Sequence, residues 1–410
     1  MVSLLVSLLV LGCQSSAAPA SPEPPPPPVP TPAPAPAPNP SLPANLTAKQ
    51  LLELGFELVN KGKYDDALAA FTRAIELEPT NGSTYGDRGN VYLFKGDIDK
   101  AIADYSKAIE LEPGGVKPYS QRGYAYFLSG QFDMALSDYN KAIGLAPDYK
   151  QTYYYRGIYY DIIGDLDKAI VDYTKATQLD LKFAQAFNNR GVCYAKTRKY
   201  DLAIGDFNKA IELVPDYAQA YRNLGNVYEA LNDFDKAFAS YNKAIELAPD
   251  YAQAYNNRGA VYLQRREYER AITDFTRAID LEPNYLEVYY RRGLALYYKG
   301  NFNKALDDFN KTIELDSGFA EAYVNRGHIY LVRAEYFKDK SEYEKAIADY
   351  SRAIDLDPNN AEAYNLRALA NNALGKKAEV IADLEAFIKL SPPSDATAKA
   401  KQLLEQLKKQ

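Results

Sequence analysis

The 410-residue chain has no tryptophan, one histidine, two cysteines and two methionines. With His328 as the lone histidine, most metal sites and Ser-His-Asp arrangements lack an essential member. Cys13 and Cys193 lie too far apart in sequence to suggest a disulfide framework or a zinc spacing. No Gly-rich phosphate loop occurs. An excess of one charge is also missing: 48 Lys and Arg are interspersed with 54 Asp and Glu, for a net charge of -6. A nucleic-acid surface needs a basic excess, so nucleic acid is not expected as a partner. The one early apolar run, Val2 to Leu11, is far shorter than the ~20 residues that span a bilayer as a helix. No cofactor, no metal and no enzymatic activity are expected.

Tyrosine, by contrast, is over-used, at 36 residues. Much of it belongs to a self-similar unit. Ala218 to Tyr251 reads AQAYRNLGNVYEALNDFDKAFASYNKAIELAPDY, and Ala252 to Tyr285 repeats it as AQAYNNRGAVYLQRREYERAITDFTRAIDLEPNY. A fixed period of this kind decides the architecture before any other feature. An aromatic holds the fourth position, as in Tyr85, Tyr119, Tyr153, Phe187 and Tyr221. Glycine holds the eighth, as in Gly89, Gly123, Gly157, Gly191 and Gly225. Alanine holds the twentieth and an aromatic the twenty-fourth, as in Phe71, Tyr105, Tyr139, Tyr173 and Phe207. Proline closes most copies, with Leu181 and Ser317 as exceptions. Spacings of three, four and seven place these residues on one face of each of two helices, and the proline is expected to stop the second.

This pattern resembles the tetratricopeptide repeat. The resemblance covers residues 48–394 in ten copies, with residues 395–410 as a C-terminal capping helix. It implies an all-α fold, a right-handed superhelical solenoid of helix–turn–helix units. The ninth copy is about seven residues longer than the others. Its first helix is expected to run through Phe337 and its second to start at Ser341, with Ser341 and Glu344 as a capping box. Cys193 falls where other copies carry small apolar residues and is expected in the core.

Copies within one chain can be compared with each other. Arg holds the seventh position in eight copies, and Asp holds the matching place on the second helix of the same eight, as in Arg258 and Asp274. The first copy has Leu54 with Ala70 and the sixth Leu224 with Ser240, so both partners are present or both absent. This predicts an ion pair between the two helices of one repeat.

In proteins with this repeat, the first helices line a concave groove. The resemblance places Tyr124, Phe127, Tyr154, Asn188, Arg222, Asn226, Asn256, Asn257, Tyr290, Arg291, Tyr297 and Tyr298 there. Aromatic rings with Asn and Arg suit an extended peptide, since the amide bonds backbone and the rings cover apolar side chains at low entropic cost. The alternative is a tolerant surface with no dedicated ligand. One subclass holds C-terminal carboxylates through a clamp of basic residues and asparagines. Arg222, Asn226, Asn257 and Arg291 match that clamp, and Glu287 reverses one of its charges.

The N-terminal residues read as an address and a spacer. Val10-Leu11-Gly12-Cys13 resembles the lipobox of bacterial lipoproteins. The resemblance implies a signal peptide at 1–12, a lipid on Cys13 and membrane attachment outside the cytoplasm. An ordinary cleaved signal and an uncleaved apolar tail are the alternatives. From Pro19 to Pro43, 14 of 25 residues are proline. Such composition favours extended polyproline II, and residues 13–47 read as a semi-rigid spacer. A proline-rich ligand motif is the competing reading. The combined expectation is a non-enzymatic, membrane-tethered scaffold that binds proteins or peptides in its groove. The alternative is an architectural or self-associating envelope protein.

Overall fold

The structure is a computed structural model that describes residues 45–409. Cys13, the expected signal and most of the expected spacer lie outside the described residues. The described residues form two compact bodies, 45–145 and 146–409, with no strand among them. The first body holds α1 (Ala48–Asn60), α2 (Tyr64–Leu77), α3 (Gly82–Lys95), α4 (Ile98–Leu111), α5 (Val116–Leu128) and α6 (Phe132–Leu145). The second begins with α7 (Lys150–Ile162), α8 (Leu166–Leu179), α9 (Ala184–Lys196), α10 (Tyr200–Leu213), α11 (Ala218–Ala230), α12 (Phe234–Leu247), α13 (Ala252–Gln264) and α14 (Tyr268–Leu281). It continues with α15 (Leu286–Tyr298), α16 (Phe302–Leu315), α17 (Ala320–Phe337), α18 (Lys340–Leu356), α19 (Ala361–Ala373), α20 (Lys377–Leu390) and α21 (Asp395–Lys409). Each odd helix and the next even one form a hairpin, giving ten repeats, and α21 packs against α20. Each body is an all-α stack of tandem helix hairpins.

The repeat letters explain the packing. Each eighth-position glycine lies under the ring of the twenty-fourth residue. A Cβ added at Gly225 would stand 2.5 Å from the Tyr241 ring, closer than carbon atoms approach. In repeat ten Ala368 replaces the glycine, and the facing residue is the smaller Leu384; both are buried in one cluster. The fourth-position tyrosine closes the loop behind it: Tyr85, Tyr153, Tyr255 and Tyr289 donate to the carbonyls of Pro79, Pro147, Pro249 and Pro283.

Proline turns out not to be what stops the second helix. α8 and α16 end at the same register as the others, with Leu181 and Ser317 in the proline position. There Asp180 and Asp316 accept from the backbone N–H two residues on, at 2.9 and 2.8 Å, and this Asx turn breaks the helix instead. Leu181 is left 70% exposed. The turn inside each repeat needs a left-handed residue. Glycine supplies it in six repeats, whereas Arg198, Asn232, Arg266 and Lys338 adopt it at φ 55 to 62°. In repeat nine α17 runs to Phe337 as the sequence suggests, but α18 starts at Lys340. Its cap is Asp339, which accepts from the Ser341 N–H, so Ser341 is inside the helix and the expected Ser341–Glu344 box is not used.

The seventh-position arginines do more than pair within a repeat. Arg258 donates from Nε and Nη2 to both carboxylate oxygens of Asp274, at 2.7 Å each, joining α13 to α14. Its Nη1 reaches Asn242 of α12, in the preceding repeat, at 2.6 Å. The same third arm runs from Arg88 to Thr72, Arg122 to Ser106, Arg190 to Thr174, Arg292 to Thr276, Arg326 to Asn310 and Arg367 to Ser351. The carboxylates are buried, with side chains no more than 9% exposed. Burial pushes the carboxyls of Asp104, Asp308 and Asp349 up, against the pull of their arginines.

A buried bidentate pair costs most when one member is removed, because the other charge is then stranded. Asp274→Ala should destabilise the protein by about 3 kcal/mol. Arg258→Leu with Asp274→Ala, which copies the Leu54–Ala70 solution of repeat one, should recover much of that. Denaturant titration of the two singles and the double checks it; simple additivity would mean no coupling.

Candidate functional site

Within each body, consecutive first helices approach each other closely: α3 with α5, and α7, α9, α11, α13, α15, α17 and α19 in sequence. Consecutive second helices do not approach in this way among the described residues. The first helices therefore form the inner, more crowded layer, and their solvent-facing side is the candidate docking face.

Five of the expected groove residues hold the fifth position of a first helix: Tyr154, Asn188, Arg222, Asn256 and Tyr290. The structure places these side chains against the following repeat. The Tyr154 ring packs on Phe183 at 4.8 Å, and its hydroxyl accepts from Asn189. Tyr290 does the same with Phe319 at 4.9 Å and Asn325. Asn188 accepts from Asn223 at 3.0 Å. Asn256 is 2% exposed; it donates to the Tyr285 hydroxyl, and its carbonyl accepts from Arg291. The signal for these contacts is a spacing of 35 residues between polar partners, one repeat plus one residue. Asn189, Asn223 and Asn325 were missed in the sequence because that register appears only once the helices are stacked.

Asn226 and Asn257 are joined to each other at 2.7 Å, and Asn226 also accepts from the buried Tyr241 hydroxyl. Asn90 serves Tyr105 in the same way in the first body. Glu229 shares the Tyr241 proton, and burial raises its carboxyl above the usual range. Arg291 forms an ion pair with Glu287 one turn earlier. The residue that reverses a clamp charge thus also neutralises the clamp's last cation. Arg222 differs. Its Nη2 donates to Asn223 and its guanidinium lies 5.6 Å from the Tyr251 ring centre, but its buried Nε has no hydrogen-bond partner and it forms no ion pair.

The remaining expected residues form aromatic clusters. Tyr297 contacts Tyr298, Phe302 and His328, and Tyr298 stacks on Tyr268. Burial lowers the His328 pKa. In the first body Tyr124 stacks on Phe127, which contacts Phe132. Cys193 is fully buried and its thiol is pushed up to about 12 by burial, so it is packing and not a nucleophile. Among the described residues no group of His, Cys, Asp and Glu could hold a metal ion, and no helix is long and apolar enough to cross a membrane.

One group on the inner face of the first body has no signal in the repeat pattern. Asp87 of α3 is half-buried and accepts no hydrogen bond from the protein. Burial raises its carboxyl to about 6, and only Lys117 of α5 pulls it down.

Family models of the tetratricopeptide repeat match residues 48–81, 70–103, 116–149, 151–183, 182–250, 218–284 and 286–319, and a TPR repeat model matches 89–130 and 335–375. No curated protein matches at a significant level. Solved structures similar to the chain include a tetratricopeptide repeat protein from Parabacteroides merdae, at 23% identity and TM-score 0.48 over 61% of this chain and 98% of that one. YrrB, described as a TPR protein with an unusual peptide-binding site, is 26% identical with TM-score 0.39, over 47% and 95%. Yeast Tom70 is 18% identical with TM-score 0.35, over 88% and 95%.

The Asp87 carboxyl gives a pH signature. A carboxyl raised by folding costs nothing while it is neutral in both states, and stability is lost as pH rises from its unfolded value of about 4 to its folded value. Asp87→Asn should therefore raise stability at pH 7.5 by about 2 kcal/mol, after allowance for partial exposure. At pH 4 the variant and the parent should nearly coincide. Equal unfolding midpoints for the two proteins at pH 7.5 would refute this.

Proposed function

Because the chain belongs to the tetratricopeptide repeat family, whose proteins bind other proteins and peptides, we propose that it is a non-enzymatic scaffold that docks a partner peptide on the inner layer of repeats four to eight. The observation that carries this reading is Arg222. It is a cation with a buried, unused donor, set among amides already fixed in place. A buried donor without an acceptor costs about 1–3 kcal/mol, which a ligand carbonyl or carboxylate would restore. Asn188, Asn223, Asn226, Asn256 and Asn257 are pre-ordered by their mutual bonds, so little entropy is lost when a chain is laid beside them. The Arg291–Glu287 pair argues against a full carboxylate clamp and favours an internal segment as ligand.

The scaffold is proposed to be lipid-anchored at Cys13 and held off the outer face of a bacterial membrane by the proline-rich spacer. The sequence Val10-Leu11-Gly12-Cys13 and the 14 prolines between Pro19 and Pro43 support this. At about 3.1 Å per residue the spacer reaches on the order of 75 Å. A second reading, self-association, is favoured by one feature: the lengthened repeat nine ends its first helix in Tyr336, 79% exposed, beside Phe337.

Arg222→Leu should weaken peptide capture by the full-length protein at least about tenfold, the loss of one charge-assisted bond, with unfolding unchanged or slightly later. Unaltered capture would remove Arg222 from the site. Radiolabelled fatty acid should enter the parent and not Cys13→Ala; label retained by the variant would refute the anchor. If self-association operates, sedimentation should give a mass that rises with concentration and falls back in Tyr336→Ser.

A further inference from the structure

We propose that the inner face of the first body is a separate docking surface for a cationic, apolar peptide segment of a partner protein. This rests on the reading that partners dock on the first-helix layer, and it gives repeats one to three a ligand chemistry of their own.

On α3, Asp87, Asn90 and Phe94 fall at i, i+3 and i+7, on one side of the helix. Phe94 is 68% exposed, lying flat over Tyr64. Phe56 on α1 is 47% exposed and Leu128 on α5 is 45% exposed. The first helices of all three repeats thus each present a large apolar side chain to solvent. The charge on this face is negative, with Lys117 the cation that acts on Asp87 from a distance. Asp87 has neither a hydrogen bond nor an ion pair, and Glu53 occupies the same repeat position on exposed α1 surface.

The nearby cations are committed or remote. Arg88 is held by Asp104 and Lys95 by Asp65, while Lys117 acts on Asp87 without contacting it. The Asp87 carboxylate has already lost part of its water, so an incoming Lys or Arg meets a charge whose desolvation is largely complete. Such a pair gains more than an exposed one. The flanking apolar side chains require that the cation sit beside residues such as Leu or Phe. The chain's own N-terminal segment does not fit: residues 1–44 contain no Lys or Arg and include Glu23. In the second body the corresponding layer carries Arg222, a cation in search of an acceptor, so the two bodies present opposite chemistries.

Full-length protein is titrated into three labelled twelve-residue peptides, and binding is read by fluorescence anisotropy. One peptide carries Lys at every fourth position among Leu and Ser, one carries Glu instead of Lys, and one is residues 24–35 of this chain. The Lys peptide should bind and the other two should bind at least about tenfold more weakly. Asp87→Asn should weaken the Lys peptide by about tenfold while raising the unfolding temperature, a combination that mere structural damage does not produce. Phe94→Ala should weaken it about fivefold, for loss of one exposed ring contact. Asp133→Asn, at an exposed carboxylate of α6, should change nothing, which separates the site from the general attraction of an acidic protein. Equal binding of the Glu peptide or of residues 24–35, or an Asp133→Asn loss as large as that of Asp87→Asn, would overturn the proposal. Arg222→Leu should leave the Lys peptide bound; a loss there would put the peptide on the second body and refute this assignment while sparing the Arg222 site.

Discussion

The array depends on one side chain used three ways. An arginine guanidinium carries five donors in a fixed plane, and each seventh-position arginine uses that plane to clamp its own repeat's aspartate. Within a body, the remaining edge reaches the second helix of the repeat before it, as in Arg258. Flanking tyrosines at the fourth and eleventh positions have their ring centres 5.7 and 5.8 Å from the same guanidinium in repeat two. One residue thus fixes the crossing within a hairpin and the register between hairpins. In a repeat array, where each repeat touches only its neighbours, stability is a sum of these local terms, and a device that serves both kinds of contact acts throughout each body. Lysine could not replace it, since a point charge has no second edge to offer. Repeat six does without the device, with buried Leu224 beside Ser240, whose hydroxyl turns back to its own helix.

That construction leaves function little room. The fourth, eighth, twentieth and twenty-fourth positions are consumed by packing, and the seventh by the brace. Even the inner layer is partly structural: the fifth-position residues are joined to the next repeat, and the Asn226 and Asn90 amides satisfy buried tyrosine hydroxyls. Among the charged groups of the inner layer, Arg222 in the second body keeps a buried nitrogen without a partner and Asp87 in the first accepts no hydrogen bond. A buried charged group with no partner is costly, and such groups mark places where a ligand changes the energy.

The architecture was legible in the residues because ten copies repeat the same constraints, and a constraint seen many times is separated from chance. The Arg–Asp pairing could be read because the two positions vary together within the chain. What could not be read were the features that depend on a neighbour. The 35-residue contacts, the third arm of the arginine and the Asx turns that replace proline at Asp180 and Asp316 involve residues that no single repeat brings together. Tyr154 and Tyr290 read as ligand-facing rings in one helix, yet they fill the step to the next one. The cap of α18 was misplaced by two residues because Asp339 and Ser341 are both good caps, and the left-handed turn at Lys338 decides between them.

By itself the sequence determined the period, the helix pairs and the all-α class, since these follow from spacings along one chain. The tertiary structure alone decided which polar residues of the inner layer are already satisfied and which are not. Hydrogen bonding is a property of pairs in space, and stacking one repeat on the next is what supplies the partner or withholds it.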